Sequence, residues 1–225
     1  IGTAVKTCCE GLLALAREKA AAALGVSESF LRYQEGEFYQ ETEPEKRISL
    51  SQISRYSIQT LGRDLYYAVT TNAQENPGVA AAHFTEAEVD TYTGRVKILD
   101  CLSVHDIGKA INPEMCIGQV GSGIQQGIGM ALREEIKIDP KTGRTLITNL
   151  KNYENVNSWD MPKYRVLFIE EPEEHGPFGA KSIGEVVLVP VAPAVVAAVN
   201  DALGTNLTTL PITPSVILEE LEEKR

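Results

Sequence analysis

Residues 175–204 read HGPFGAKSIGEVVLVPVAPAVVAAVNDALG, and they set one carboxylate, Glu185, between a glycine-punctuated loop and a long run of valine, alanine and proline. Charged glutamates are seldom found at the mouth of a buried apolar segment unless something there uses or neutralises them. Two readings are open from the residues alone. Glu185 is either a helix-start carboxylate stabilised by the N-terminal dipole or a group that does chemistry. The apolar run itself predicts a helix over roughly residues 190–203. Strands precede the loop around 163–169, KYRVLFI, and Pro211 and Pro214 break the chain before a short charged C-terminal helix.

Further upstream, residues 112–134 read NPEMCIGQVGSGIQQGIGMALRE. Asn112 suits an N-cap and Pro113 a first helical residue. Gly118, Gly121, Gly123, Gly127 and Gly129 each cost about 1 kcal/mol relative to alanine if they are helical. Their absent side chains point either to another element packing very close or to a ligand approaching the main chain. The spacing from Gly121 is G-x-G-x-x-x-G and follows a helix start rather than a strand, so a dinucleotide-binding reading is rejected. Gln119, Gln125 and Gln126 are the polar residues of this stretch. A primary amide suits an oxo or carbonyl group in a dry pocket; the plain alternative, favoured for Gln125 and Gln126, is that they face solvent.

The remaining chain alternates helices with strand-like stretches. Residues 3–24 carry apolar side chains at helical spacing, with Gly25 as the stop. Residues 34–47, QEGEFYQETEPEKR, read as an irregular or edge-strand excursion. Ser49 or Ser51 caps a short helix over 50–62. Strands are expected in DLYYAVTT (64–71) and in AAAHFTEAEVDTYTGRVKILDCLSVHD (80–106), and EEIKIDPKTGRTLIT repeats the hairpin device. Helices and hairpins in irregular order predict an α+β fold of mixed helices and antiparallel hairpins. The whole chain reads as one region, 1–225, with two possible subdomains at 1–75 and 76–225.

A net charge of −10 and a pI near 4.9 exclude the basic face that nucleic acid needs and disfavour acidic partners and anionic membranes. The longest apolar run, Val186–Val199, is too short for a membrane span and contains two prolines. Cys8, Cys9, Cys101 and Cys116 lack C-x-x-C spacing, which reads as buried thiols in a reducing cytoplasm rather than an iron–sulfur or zinc site. His83, His105 and His175 show no ligand spacing, and His105 with Asp106 looks like a hydrogen-bonded pair at a strand end. EEPEEHG is expected to be a solvated loop. The chain opens at Ile1 inside a helical pattern, which suggests a fragment or a processed subunit.

Four stretches taken together resemble one family. They are VHDIGKAINPEMCIGQVGSGIQQGIGMALREE, DMPKYRVLFIEEPEEHGPFGAKSIGE, the alanine–valine helix after it, and LTTLPITPSVILEEL. The pattern is similar to the C-terminal part of the molybdopterin-binding region in the xanthine dehydrogenase and aldehyde oxidase family of molybdenum hydroxylases. It covers roughly residues 80–221 well and the N-terminal helix loosely. The resemblance implies that Glu185, closing the G-A-K-x-x-G-E motif, is the catalytic base. It implies that Gln119 hydrogen-bonds an oxygen at the molybdenum centre, and that the loop with Lys181, Ser182 and Gly184 lies beside the cofactor. For Lys181 three roles stay open: a partner for Glu185, a contact to substrate or cofactor, or a solvated side chain.

The implied chemistry is oxygen insertion from water into an electron-poor carbon of an N-heterocycle or aldehyde. A glutamate takes the proton of a metal-bound hydroxyl, which attacks the carbon while hydride moves to a sulfido ligand. An apolar surround of the VVLVPV kind would favour the proton-accepting role. Val186 and Val187 stand where many xanthine-oxidising members have prolines, so the substrate is left open. The family's upstream glycine–glutamine–glycine loop and glycine–phenylalanine motif are absent, and the chain is expected to present half a cofactor site. Implied partners are the rest of the molybdopterin-binding region, 2Fe-2S and FAD modules, and a small-molecule substrate. The competing expectation is a non-catalytic structural or interaction subunit that keeps the fold; molybdenum and pterin content discriminates the two.

Overall fold

A computed structural model describes residues 1–72 and 77–224, and the chain packs as two units, residues 1–74 and 75–225. In the first unit, helix α1 spans Gly2–Leu24 and stops where Gly25 turns left-handed at φ 67°. Strands β1 (Leu31–Gln34), β2 (Glu37–Gln40) and β3 (Glu43–Ser49) form an antiparallel sheet in that order. Helix α2 covers Leu50–Leu61, and Ser49 caps it with a full capping box, exchanging bonds with Gln52.

Of the two readings of residues 34–47, irregular or edge-strand, the sheet favours the strand, with β3 at its edge. Its polarity hid the pattern because only Leu31 and Phe38 are fully buried, and these two pack with Ala16, Ala20 and Ile53. Arg17 stacks over the Phe38 ring at 5.4 Å and donates to the Leu31 carbonyl at 2.7 Å, so one side chain ties α1 to the sheet. Residues 64–71 are not a strand. The expected β-propensity finds no pairing partner, and the Tyr67 ring instead lies where a Cβ at Gly11 of α1 would sit, 2.2 Å away.

In the second unit, β4 (Ala80–Val89) and β5 (Val96–Asp106) form the expected long antiparallel hairpin, with a bulge between Glu86 and Ala87. Helix α3 (Pro113–Leu132) starts at Asn112, whose side chain accepts from the Met115 N–H. Strand β6 (Lys163–Ile169) then pairs with β5 in parallel, from Asp100↔Lys163 to Asp106↔Ile169. The expected antiparallel hairpin thus gains a parallel neighbour, because α3 is a crossover helix that returns the chain in the same direction. Helices α4 (Val191–Leu203) and α5 (Pro214–Glu223) complete the unit, and the whole is a mixed α+β arrangement.

The core forms where Val120, Ile124 and Ile128 of α3 meet Val191, Val195 and Val199 of α4 over Ile98 and Cys101 of β5. Each such fully buried aliphatic side chain contributes about 1.5–3 kcal/mol. The glycines of α3 find their reason here. A Cβ on Gly123 would lie 2.6 Å from Val187, and one on Gly127 would lie 2.4 Å from Val191. Close helix approach accounts for these two positions. Gly118 differs, because nothing lies within 4 Å of the place its Cβ would take.

The second expected hairpin, residues 134–148, is reduced to one bridge, Ile138↔Thr145. Ile136, Ile138 and Leu146 are exposed there, so the segment has no buried face to fix a register. Among the described residues no helix is long and apolar enough to cross a membrane. The thiols are not uniformly buried as expected: Cys101 is buried, Cys8 and Cys116 are half-buried, and Cys9 is exposed.

Candidate active site

The motif loop is strapped to the end of β5 before it reaches Glu185. Lys109 N–H donates to the Gly179 carbonyl at 2.9 Å and Lys181 N–H donates to the Ile107 carbonyl at 2.7 Å. Gly108 sits between them with φ 58°, and a Cβ there would stand 2.2 Å from the Gly179 oxygen, so no other residue fits. On the loop side, Phe178 holds φ 57° and ψ 23°, a left-handed conformation costly for a bulky residue. Strain of this kind costs about 1–3 kcal/mol and persists where surrounding contacts over-determine the backbone.

Lys181 makes the strap electrostatic. Its ammonium meets Asp106 Oδ2 at 2.7 Å, with the two side chains only 9% and 19% exposed. That hydrogen bond holds the Asp106 carboxyl below the usual carboxylate range. Lys181 therefore pairs Asp106 and not Glu185, and it is not solvated. Asp106 in turn is not the partner of His105, whose Nε2 shares a 2.7 Å hydrogen bond with Ser103 Oγ on the opposite face of β5. A second brace runs from Glu170, which accepts from the Ala110 N–H at 2.7 Å and pairs Lys109 at 3.2 Å. The acidic run that begins at Glu170 is thus partly structural rather than wholly solvated.

Gln119 and the motif are brought together across 65 residues of sequence, where Gln119 Nε2 donates to the Gly184 carbonyl at 3.2 Å. The next residue is Glu185, whose own carbonyl accepts from Leu188 N–H at 3.1 Å and opens the turn into α4. Glu185, Ser182 and Gly184 are exposed, as is Gln119. The apolar run does not wrap Glu185 as expected, because Val187 and Val191 turn inward to fill the spaces left by Gly123 and Gly127. Gln125 is not solvent-facing either; it donates to the Val156 carbonyl at 2.6 Å, while Gln126 is exposed.

Beside Gln119 lies a shallow cavity of about 300 Å³, bordered by Ile107, Met115, Cys116, Lys181 and Ile183. A larger hollow of about 930 Å³ is elsewhere, between Arg133, Asp160 and the Thr209–Ser215 segment, and shares none of these residues. The smaller one is the better site because the motif loop forms its wall. Sequence reasoning missed Asp106 and Glu170 as anchors of this loop; their signal lies only in cross-chain pairing.

The donor set is an amide, open backbone at Gly118 and Gly184, a hydroxyl and a free carboxylate. Among the described residues no group of three or more His, Cys, Asp or Glu could hold a metal ion. Hydrogen-bonding groups and uncovered backbone suit a large organic cofactor that brings its own metal better than a bare cation, which needs several charged or imidazole ligands.

The chain belongs to the molybdopterin cofactor-binding domain family, which it matches over residues 1–162. That match includes the N-terminal unit, which the sequence resembled only loosely, and stops before the motif loop. The chain is 39% identical over 145 residues to the putative xanthine dehydrogenase molybdenum-binding subunit XdhA of Escherichia coli K12, covering 64% of this chain and 19% of that protein. It is 31% identical over 155 residues to the aldehyde oxidoreductase molybdenum-binding subunit PaoC of the same organism, with 68% and 21% covered. Among solved structures, a Cu,Mo-CO dehydrogenase superposes with a TM-score of 0.76 at 26% identity, over 96% of this chain and 28% of the other. Quinoline 2-oxidoreductase of Pseudomonas putida 86 gives 0.75 at 28% identity, over 92% and 28%. The chain spans about a fifth of the length of these curated relatives.

Proposed function

We propose that this chain builds one wall of the molybdenum-cofactor site of a xanthine dehydrogenase- or aldehyde oxidase-type hydroxylase, with Glu185 as its base. The observation that carries the reading is the Gln119–Gly184 hydrogen bond, which places an amide and the glutamate's loop at one cavity. Gln119 spends one N–H on Gly184, and its second N–H and Oε1 stay free for the cofactor. Ser182 Oγ supplies a further hydrogen bond, and the bare main chain at Gly118 and Gly184 lets the cofactor approach closely. Lys181 contributes by holding the loop to Asp106 rather than by touching the cofactor.

When bound, the molybdenum–pterin group would supply an activated water-derived oxygen and accept the substrate's electrons. Glu185 receives the proton at a carboxylate oxygen, and the Gln119 strut to the preceding residue holds its backbone beside the cavity. Water exclusion around it falls to groups outside residues 1–225, since the carboxylate is exposed here. The substrate class is an N-heterocycle or an aldehyde, as the names of relatives acting on xanthine, nicotine and aldehydes suggest. Iron–sulfur and flavin modules on partner subunits carry the electrons away, and the assembly works in the cytoplasm.

The test is Glu185→Gln in the complete enzyme. Turnover should fall by about 10²–10⁴ while molybdenum and pterin stay at wild-type levels; undiminished turnover removes Glu185 from the chemistry. A wild-type assembly free of both molybdenum and pterin would instead favour a structural subunit that keeps only the fold.

A further inference from the structure

We propose that the inner face of the β4–β5 hairpin binds internal water, a pair of molecules held by His83, Thr85 and His105. Much of this face belongs to the apolar core, where Ala87, Val89 and Ile98 pack. Towards Asp106 its character changes. The register sets Thr85 opposite Cys101, His83 opposite Ser103 and Ala81 opposite His105, in three adjoining rows. Alternation along each strand turns all of these side chains the same way. Only Ala81 among them is purely hydrocarbon.

The protein leaves much of this patch unpaired. His105 and Ser103 are fully buried, and His105 Nε2 shares a 2.7 Å hydrogen bond with Ser103 Oγ. His105 Nδ1, both ring nitrogens of His83 and Thr85 Oγ1 are also buried, and they find no nitrogen or oxygen partner among the described residues. Thr85 has the Cys101 thiol beside it, a weak sulfur partner. Helix α4, which packs over β4, faces the core with Val191, Val195 and Val199. Leaving so many buried polar atoms unsatisfied would cost a large share of a domain's whole stability.

Water answers what these atoms need. The two rings lie on one diagonal of the square formed by His83, Ser103, Ala81 and His105, and the two small side chains lie on the other. Diagonal neighbours stand about 7–8 Å apart, which leaves room for one bridging molecule above Ala81. That water joins His105 Nδ1 to His83, and a second joins the other His83 nitrogen to Thr85 Oγ1. A neutral imidazole has one donor and one acceptor, and water complements either. Both rings are neutral, since burial lowers His105 and pushes His83 down to about 4. A metal ion is a poorer occupant. Burial pushes the Cys101 thiol up to about 11, so it offers no thiolate, and no metal-binding group of three or more His, Cys, Asp or Glu forms among the described residues. The waters brace the end of β5 whose next residue, Asp106, grips Lys181.

The test is a crystal structure of the assembled enzyme at a resolution that shows ordered water. Water peaks are expected about 2.7–3.2 Å from the His83 nitrogens, from His105 Nδ1 and from Thr85 Oγ1. A dry patch, rings paired directly to other side chains, or a peak with the anomalous signal of a metal would overturn the assignment. A second measurement reads the sign of a stability change. His83→Leu removes the shared anchor and strands His105 and Thr85, so the apparent unfolding temperature of the enzyme should fall by about 2–4 °C. Replacing a dry, unpartnered ring with leucine would instead leave that temperature unchanged or raise it, because a buried polar penalty is removed. Either of those results sinks the idea.

Discussion

Lys181 and Asp106 show how much of the site rests on single side chains. Their pairing helps fix the loop that presents Gly184 and Glu185. Lys181→Met leaves a mostly buried carboxylate without its partner, and loss of about 2–3 kcal/mol of unfolding free energy is expected from denaturant titration. In a double-mutant cycle with Asp106→Asn the two losses should be non-additive by about 1 kcal/mol or more. Additive losses would mean the pair does not act as a unit. Replacing Gln119 with Ala removes the strut to Gly184, and cofactor retention or turnover should drop. A variant with full metal content and an unaffected steady-state rate would remove Gln119 from the site. Glu185 and Gln119 are legible in the sequence because the motifs around them are short and specific. Asp106 is not legible, because 75 residues separate it from Lys181 and only the β5–loop pairing joins them.

The helices are the best-read elements, and α3 shows why. Its cap, its proline and its length follow from local rules, and so does the capping box of α2. Ser49→Ala should cost about 1 kcal/mol, measured by chemical denaturation. The glycines of α3 divide by environment in a way that composition could not show. Gly123→Val drives a branched side chain into Val187, and a cost of about 1–3 kcal/mol is expected from overpacking. Gly118→Ala meets open space and should gain several tenths of a kcal/mol in helix propensity. If the added methyl also weakens cofactor binding, the cofactor approaches the backbone there. The strands were read less well. Residues 64–71 have strand-like composition but no neighbour to pair with, and 134–148 keeps a single bridge, whereas the polar β1–β3 sheet forms around Leu31 and Phe38. Sheet formation depends on partners remote in sequence, which local composition does not encode.

At the scale of the whole molecule, the second unit carries an acid sensitivity in its core. Burial pushes His83 down to about 4, with His105 nearby adding to the effect, and burial also lowers His105. Both are thus neutral when folded and protonate near 6.5 when unfolded. Their depressed folded values contribute stability that is present above about pH 6.5 and is lost as pH falls towards 4. The Asp106 and Asp160 pairs, held below the usual carboxylate range by Lys181 and Arg133, are lost only at still lower pH. The melting temperature should therefore fall between pH 6.5 and 4, and His83→Gln should flatten that slope; an unchanged slope would contradict it. Burial likewise pushes the Cys101 thiol up to about 11, so alkylation under native conditions should modify exposed Cys9 and spare Cys101.

The sequence by itself determined the helices, the mixed α+β class and the family, and its motifs single out Gln119 and Glu185, on which the proposed chemistry turns. These depend on neighbours within a few positions: caps, periodicity and short motifs act over one or two turns of chain. Tertiary structure alone decided that Lys181 holds Asp106, that Gly123 and Gly127 admit Val187 and Val191, and that β6 runs parallel to β5. Each of these is a meeting of segments far apart in the chain, and its energy exists only once burial and register have brought the partners within contact.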